Sequence, residues 1–214
     1  MRGWLLGWRD VACSVDERTL ILSAIPRAAV GHKLLLMLGQ AAGAPLQANL
    51  SSFVLDYVAR LKMSGASMAY FIVKQLPVLP PGVHAIRPPW TSEVATLDEW
   101  VTARVLELTY TSYDIEAYAR DLGDQGARFR WDPQRRELLR AELDAAYFHL
   151  YGIERDDVDY VMDTFKVVRE RDEKAYGEFR TKRLRAVYCA LCRRRPREAA
   201  GERLRLSGQR PRHR

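Results

Sequence analysis

Residues 49–62 read NLSSFVLDYVARLK and carry the first clear helical period in the chain. From position 50 onward the apolar residues recur at steps of three and four, which places them on one face of a helix. They are Leu50, Phe53, Val54, Tyr57, Val58 and Leu61. Because Asn49 and Ser51 are residue types that cap helices, the pattern predicts a helix whose first turn is capped by one of them.

The segments on either side of this helix have the composition of strands. Residues 4–13 are largely apolar and residues 19–25 are β-branched and aliphatic, so we expect two strands joined near residues 14–18. The run 33–38 fits a strand or a short helix, because periodicity does not separate the two at this length. Residues 68–73 predict a further strand. The amino-terminal part of the chain is therefore expected to be mixed α/β.

A cluster of prolines separates regions of different character along the chain. We predict a small mixed α/β domain over residues 1–80, a Pro-rich linker over 81–95 and a mostly helical region over 96–192. Residues 193–214 contain repeated arginine and few apolar side chains, so they predict a disordered tail. The predicted fold class is α+β.

The region after the linker has helical periodicity almost throughout. Residues 97–108 predict one helix. Asp132 followed by Pro133 predicts the start of another, since aspartate caps helices and proline fits the first helical position. Apolar stripes mark this helix and two later ones, and their members are Leu139, Leu143, Ala146, Tyr147 and Leu150, then Val158, Val161, Met162 and Phe165, then Leu184, Val187, Tyr188 and Leu191. We expect these helices to pack on one another and on the amino-terminal domain.

The composition indicates a globular chain with an uneven charge distribution. With 214 residues and 48 % hydrophobic side chains it can bury a sizeable core, and no apolar run approaches the roughly 20 residues of a membrane-spanning helix, so we expect a soluble, cytoplasmic protein. Residues 1–89 hold nine Lys/Arg against four Asp/Glu, a net charge of +5, whereas residues 90–192 hold sixteen against twenty-one, a net charge of −5. The basic half is expected to attract a polyanion, and the acidic half to face solvent or a protein partner.

Motifs of enzyme chemistry are absent from the sequence or incomplete. Neither GxxxxGK[ST] nor GxGxxG occurs, so no loop is predicted to cradle a phosphate. The carboxylates Asp156, Asp157 and Asp159 fall in the first turns of a helix predicted over residues 154–165. There they interact favourably with the positive end of the helix dipole, and we prefer this structural role to metal binding. The segment RPPW at 87–90 has the Pro-Pro-aromatic part of an adenine-methyltransferase motif, but its arginine has no acceptor for the amino group of the base. We predict no catalytic, cofactor-binding or metal-binding residue in this chain.

Cations are spread over several predicted elements of the amino-terminal domain. They are Arg9, Arg18, Lys33, Arg60, Lys62 and Lys74, and the short polar side chains near them in sequence are Thr19, Asn49, Ser64 and Ser67. Such a set suits duplex DNA, since cations neutralise phosphates while Arg, Lys and Asn read base edges in the major groove. The alternative for each cation is a solvated surface charge.

Short sequence blocks stand in a characteristic order along most of the chain. They are residues 7–12 (GWRDVA), 17–19 (ERT), 24–26 (AIP), 49–60 (NLSSFVLDYVAR), 71–77 (FIVKQLP), 142–146 (ELDAA), 151–152 (YG), 156–160 (DDVDY), 172–173 (DE) and 176–182 (YGEFRTK). In this order they resemble the target-recognition region and carboxyl-terminal end of Type IIG restriction-modification enzymes and their phage-defence relatives, which are adenine-specific DNA methyltransferases. The resemblance covers about residues 4–190.

The resemblance implies a specificity module that positions double-stranded DNA for a domain in which S-adenosylmethionine methylates adenine N6. The catalytic domain that precedes this region in the family is missing here, so we expect no cofactor in this chain and no activity from it alone. The residues carried over as DNA contacts are Arg9, Arg18, Thr19, Lys62, Ser67 and Lys74. Asn49, Ser51, Phe53 and Tyr57 match as well, and we interpret the first two as helix caps and the others as core residues.

The sequence therefore predicts a DNA-binding specificity fragment of an adenine-N6 DNA methyltransferase or restriction-modification protein. A second hypothesis is an interaction or regulatory subunit whose helical half docks on a separate methyltransferase or nuclease. This second hypothesis rests on the −5 charge of residues 90–192 and on the apolar stripes of the helices.

Overall fold

Residues 2–39 and 43–193 are described by the computed structural model, and they form a mixed α+β fold. Its strands are β1 Trp4–Arg9, β2 Ser23–Pro26 and β3 Leu34–Met37. They form an antiparallel sheet in the order β2-β1-β3. The ambiguous run at residues 33–38 is therefore a strand.

The central strand β1 carries the buried face of the sheet. Trp4, Leu6 and Trp8 are almost inaccessible to solvent, and side chains two residues apart in a strand point to the same side. Between them, a Cβ atom at Gly7 would lie 2.9 Å from the backbone oxygen of Leu35. β1 and β3 approach each other this closely because Gly7 has no side chain.

Nine α-helices follow within the described part of the chain. They are α1 Ala44–Leu50, α2 Phe53–Lys62, α3 Tyr70–Val73, α4 Leu97–Thr109, α5 Glu116–Asp121, α6 Pro133–Leu150, α7 Arg155–Asp163, α8 Lys166–Tyr176 and α9 Arg180–Arg193. One buried hydrophobic cluster runs from Trp4 on β1 to Cys189 on α9 and includes side chains of α1, α2, α4, α6 and α7. The sheet and the helices thus share a core.

The helix predicted to begin at Asn49 or Ser51 begins instead at Phe53, as α2, and Asn49 and Leu50 end the preceding helix α1. Ser52 has an extended backbone, and its hydroxyl accepts a hydrogen bond from the N–H of Leu55, so Ser52 is the N-cap of α2. Ser51 instead bonds the backbone of Leu22, accepting from its N–H at 3.0 Å and donating to its carbonyl at 3.2 Å. The predicted cap was wrong because the serine one position later makes it.

Of the strand predicted over residues 19–25, only the end belongs to β2. The N–H of Thr19 donates to the buried Asp56 carboxylate at 3.0 Å, and the N–H of Leu22 donates to Ser51. These residues lie outside the ladder with β1, because side chains of the helical layer take their backbone donors. The connection from β1 to β2 is therefore longer than predicted.

The strand predicted over residues 68–73 was wrong, since helix α3 occupies most of this segment. Its helical backbone buries Ile72 and Val73 together. The Tyr70 hydroxyl accepts from the N–H of Leu36 in β3 at 3.0 Å and donates to the carbonyl of the same residue at 2.9 Å. Tyr70 thereby occupies the outer edge of β3, where a further strand would have paired.

The helices predicted in the second half are confirmed. α4 covers the predicted 97–108, and α6 begins after Asp132, whose carboxylate accepts the N–H of Arg135 at 3.0 Å. The apolar stripes pack largely inside this chain. Their buried members are Leu139, Leu143, Ala146, Tyr147, Val158, Val161, Met162, Phe165 and Tyr188. Val187 differs, at 44 % exposed.

Side chains on either side of the predicted linker contact each other. Asn49 donates from Nδ2 to the Tyr151 hydroxyl at 3.0 Å, and Tyr151 donates to the carbonyl of Pro77 at 2.7 Å. The rings of Phe53 and Phe165 pack edge-on with centroids 4.6 Å apart. The interpretation of Asn49 as a cap is replaced by a buried amide that joins α1 to the end of α6.

The predicted linker over residues 81–95 is itself partly buried. Pro81–Ala85 forms a 3-10 helix, and Trp90 is 2 % exposed and packs edge-on against Trp100. The division of the chain into domains at this point stays a prediction. The predicted disordered tail, residues 193–214, lies outside the described residues except for the last residue of α9.

His84 in the 3-10 helix is a buried titratable group. The Tyr147 hydroxyl donates to the carbonyl of Pro45 at 2.8 Å, so its oxygen accepts the Nε2–H of His84 at 3.3 Å. Burial lowers the pKa of His84, and the Asp98 carboxylate opposes this only in part. The folded protein therefore favours neutral His84.

We expect the free energy of unfolding to fall as the pH is lowered below about 6.5, the ordinary pKa of histidine. In that range the unfolded chain binds a proton at His84 and the folded chain does not, so acidification favours unfolding. Urea titrations at about pH 7.5 and about pH 5.5 measure the free energy of unfolding at each pH. Its decrease from the higher to the lower pH should be smaller for His84→Gln than for the wild type. An equal decrease in both proteins would contradict the conclusion that the folded protein favours neutral His84.

Candidate nucleic-acid interface

The predicted DNA contacts are divided between two parts of the surface. One part is a cleft between the sheet and the helices of the second half, here called the arginine cleft, and its predicted members are Arg9, Arg18 and Thr19. The residues that lie on the exposed surface outside the cleft are Lys62, Ser67 and Lys74. The structure therefore does not bring all six predicted contacts to one surface.

Two exposed members of the predicted set, Arg9 and Ser67, each contact an aspartate. The Arg9 side chain is 64 % exposed, and its guanidinium lies 3.1 Å from the Asp16 carboxylate. Ser67 donates to the Asp10 carboxylate, and this bond, together with the nearby Lys33 ammonium, lowers the pKa of Asp10. An exposed ion pair contributes little to stability, so Arg9 remains available to an anion in the arginine cleft.

Arg18 and Thr19 belong to a buried ion network. Asp56 on α2 is fully buried, and its carboxylate lies 2.6 Å from Nε of Arg18 and 3.1 Å from Nε of Arg60. The same carboxylate accepts the N–H of Thr19 at 3.0 Å, and the Arg18 guanidinium lies 4.2 Å from the centre of the Phe53 ring. These contacts give Arg18 and Thr19 a structural role, because they attach the segment before β2 to α2.

A second buried ion pair in the arginine cleft also lies beside Phe53. Arg185 on α9 is 2.9 Å from Asp144 on α6, and both side chains are 5 % exposed. The second oxygen of Asp144 accepts the N–H of Phe53, the first residue of α2, at 2.9 Å. Burial lowers the pKa of Arg185, and the charge of Asp144 opposes this shift. The pair thus connects α2, α6 and α9.

The arginine cleft has a volume of about 1250 Å³. It is lined by residues of β1 and of the segment leading into β2, by residues of α1 and α2, and by the end of α4 together with α6, α8 and α9. Five carboxylates line it, and they are outnumbered by seven arginines: Arg9, Arg18, Arg136, Arg140, Arg171, Arg180 and Arg185. Most of these cations come from the half of the chain whose net charge is negative.

Arg136 and Arg140 are the two arginines of the cleft that have no carboxylate partner among the described residues. They stand four residues apart on α6 and therefore share one helix face. The Arg136 guanidinium donates to the carbonyl of Leu108 at 2.6 Å and stacks 3.6 Å from the centre of the Trp131 ring. Burial, together with the charge of Arg140, lowers the pKa of Arg136 to about 10, so it stays protonated at neutral pH. The two uncompensated cations form a candidate anion site.

The sequence interpretation missed Arg136, Arg140 and Trp131. A signal was present, because the two arginines are spaced by four residues in a helix that was predicted. Summing the charge over residues 90–192 concealed it. The sequence could not show that this helix face lines the same cleft as Arg9, since that depends on the tertiary fold.

The carboxylates considered as metal ligands lie where the helix was predicted. Asp156 and Asp157 occupy the first turn of α7, and Asp159 is 3.2 Å from Arg155. Within residues 2–39 and 43–193, no group of three or more His, Cys, Asp and Glu side chains is placed to hold a metal ion.

The aromatic residue of the RPPW segment, Trp90, is buried in the core. Among the helices of the described chain, none combines the length and apolar character needed to cross a membrane.

Comparison with known proteins adds no relative. No protein-family model, curated protein or solved structure matches this chain.

Proposed function

We propose that this chain binds double-stranded DNA in the arginine cleft and serves as the specificity module of an adenine-N6 DNA methyltransferase or restriction-modification protein. The observation that carries the DNA-binding proposal is the pair Arg136 and Arg140, two neighbouring cations with no carboxylate partner in the described chain. The exposed Arg9 lines the same cleft. Backbone phosphates supply the negative charge that such a site lacks.

The assignment to a methyltransferase system is supported by the order of the sequence blocks. Two of these blocks, 142–146 and 176–182, contribute Asp144 and Arg180 to the arginine cleft. In this proposal S-adenosylmethionine is bound by a separate methylating domain or subunit. The chain described here selects and orients the DNA.

Charge reversal at Arg136 and Arg140 should weaken duplex binding by about 10- to 100-fold at low salt. The slope of log affinity against log salt concentration should fall by about two, one for each lost phosphate contact. Both quantities can be measured by fluorescence anisotropy with a labelled duplex over a series of salt concentrations. The full chain is used throughout, so the arginines of residues 193–214 contribute equally to every variant.

A matched control is the double variant Arg87→Glu with Arg155→Glu. It changes the net charge by the same amount, and both residues are exposed outside the arginine cleft. Equal weakening by the two double variants would show that only net charge matters and would overturn the proposed site. Absence of duplex binding by the wild type, even at low salt, would overturn the DNA-binding proposal.

The division of labour between this chain and a methylating partner is tested separately. Incubation of the chain with duplex DNA and labelled S-adenosylmethionine should leave the DNA unlabelled. Label in the DNA would contradict the proposal that catalysis belongs to another domain or subunit.

A further inference from the structure

Trp131 is unusual among the five tryptophans of the chain. Trp4, Trp8, Trp90 and Trp100 are at most 5 % exposed, whereas Trp131 is 60 % exposed. Its side chain lines the arginine cleft. A large aromatic ring left in contact with water inside a cationic cleft is suited to a planar ligand.

One face of the Trp131 ring is already occupied. The Arg136 guanidinium lies 3.6 Å from the ring centre and is fixed by its hydrogen bond to the carbonyl of Leu108. The next residue, Asp132, caps α6, which anchors the backbone beside the ring. The exposure of Trp131 therefore belongs to its other face, and the ring is held in place before any ligand arrives.

A second aromatic residue in the cleft has the same arrangement. Tyr176 is 53 % exposed, and the Arg180 guanidinium lies 4.7 Å from its ring centre. Both residues line the arginine cleft. Cationic grooves with successive aromatic platforms are how proteins bind unpaired nucleotides, because a base stacks on the ring while its phosphate pairs with a cation.

We infer that the arginine cleft binds unpaired nucleotides, with a base stacked on the open face of Trp131 and its phosphate at Arg136 and Arg140. This inference rests on the proposed function, that nucleic acid occupies the cleft, and it adds the state of the DNA. A base inside a perfect duplex has both faces covered by its neighbours. Only an unpaired or extruded base has a face to offer Trp131, so the cleft prefers DNA with unpaired bases.

Intrinsic fluorescence tests this contact directly, because the other four tryptophans are buried. Single-stranded DNA added to the full chain should quench the emission of Trp131 and protect it from acrylamide. A perfect duplex of the same sequence should do so much less, and a duplex with a central unpaired bubble should behave like the single strand. In Trp131→Phe the DNA-dependent quenching should be lost.

The energetic contribution is measured by substitution, with an aromatic control outside the cleft. Trp131→Ala should weaken binding of single-stranded DNA by about tenfold while changing duplex affinity by less than about twofold. Tyr113 provides the control, since it is 59 % exposed, carries Arg128 at 5.3 Å from its ring centre and lies outside the arginine cleft. Tyr113→Ala should leave both affinities unchanged.

The outcomes separate this inference from the proposed function. Duplex binding that depends on Arg136 and Arg140, with Trp131 equally accessible to acrylamide in free and bound protein, would overturn the inference and leave the proposed function standing. Equal effects of Trp131→Ala on single strand and duplex would also overturn it. No binding of either form would overturn both.

Discussion

Replacing Asp56 with alanine should lower the free energy of unfolding by about 3–5 kcal/mol. The Asp56 side chain is fully buried, and it is the carboxylate shared by Arg18 and Arg60, whose side chains are 14 % and 9 % exposed. Without it, two largely buried guanidinium groups keep only backbone carbonyls as acceptors, and the N–H of Thr19 loses its acceptor. A buried charge left without its partner is far more costly than the loss of a surface ion pair.

Urea unfolding monitored by circular dichroism measures this effect. Glu116→Ala is the control. Glu116 forms an ion pair with Arg120 at 2.7 Å, four residues apart as Asp56 and Arg60 are, and both of these side chains are exposed. That control should lose only about 0.3–0.5 kcal/mol. A loss below about 1 kcal/mol in Asp56→Ala would mean that water reaches the two arginines and would contradict the buried network.

Asp144→Ala is expected to cost a similar amount, about 3–5 kcal/mol. The Asp144 carboxylate is the ion-pair partner of the buried Arg185, and it also accepts the first N–H of α2 at Phe53. The truncated protein retains a buried cation and an unpaired N–H donor at the start of a helix. Burial already lowers the pKa of Arg185, so the loss of the opposing carboxylate acts on a group that its surroundings disfavour as a cation.

A double variant separates the ion pair from the space it fills. Replacing Asp144 with leucine and Arg185 with methionine removes both charges and retains most of the volume, so a large part of the lost stability should return. The unfolding free energies of Asp144→Leu, Arg185→Met and the double variant give the coupling energy between the two residues. A coupling near zero would show that Asp144 and Arg185 do not stabilise each other.

The ion network around Asp56 and the one around Asp144 meet at Phe53. The guanidinium groups of Arg18 and Arg185 lie 4.2 Å and 4.9 Å from the centre of its ring. Both arginines line the arginine cleft, yet their substitution would destabilise the fold along with any DNA contact. Better probes of DNA binding are Arg136, Arg140 and Trp131. All three have exposed surface, and the two arginines have no carboxylate partner in the described residues.

Helices whose signals are local were predictable. The cap at Asp132 and the proline after it mark the start of α6 in two adjacent residues, and the spacing of apolar side chains predicts that the helix continues. Residues 68–73 show where local signals fail. Their composition is that of a strand, but the edge of β3 is occupied by the Tyr70 hydroxyl, and a short helix forms instead.

The positions of most helices and the division of charge along the chain follow from the sequence, because caps and apolar periods act over a few neighbouring residues. The partner of each charged side chain follows only from packing. Arg18 is paired with a carboxylate 38 positions away and attaches the segment before β2 to α2, whereas Arg136 has no carboxylate partner among the described residues. Both are arginines in polar surroundings of the sequence, and the difference lies in which distant backbone and carboxylate groups the fold brings beside them.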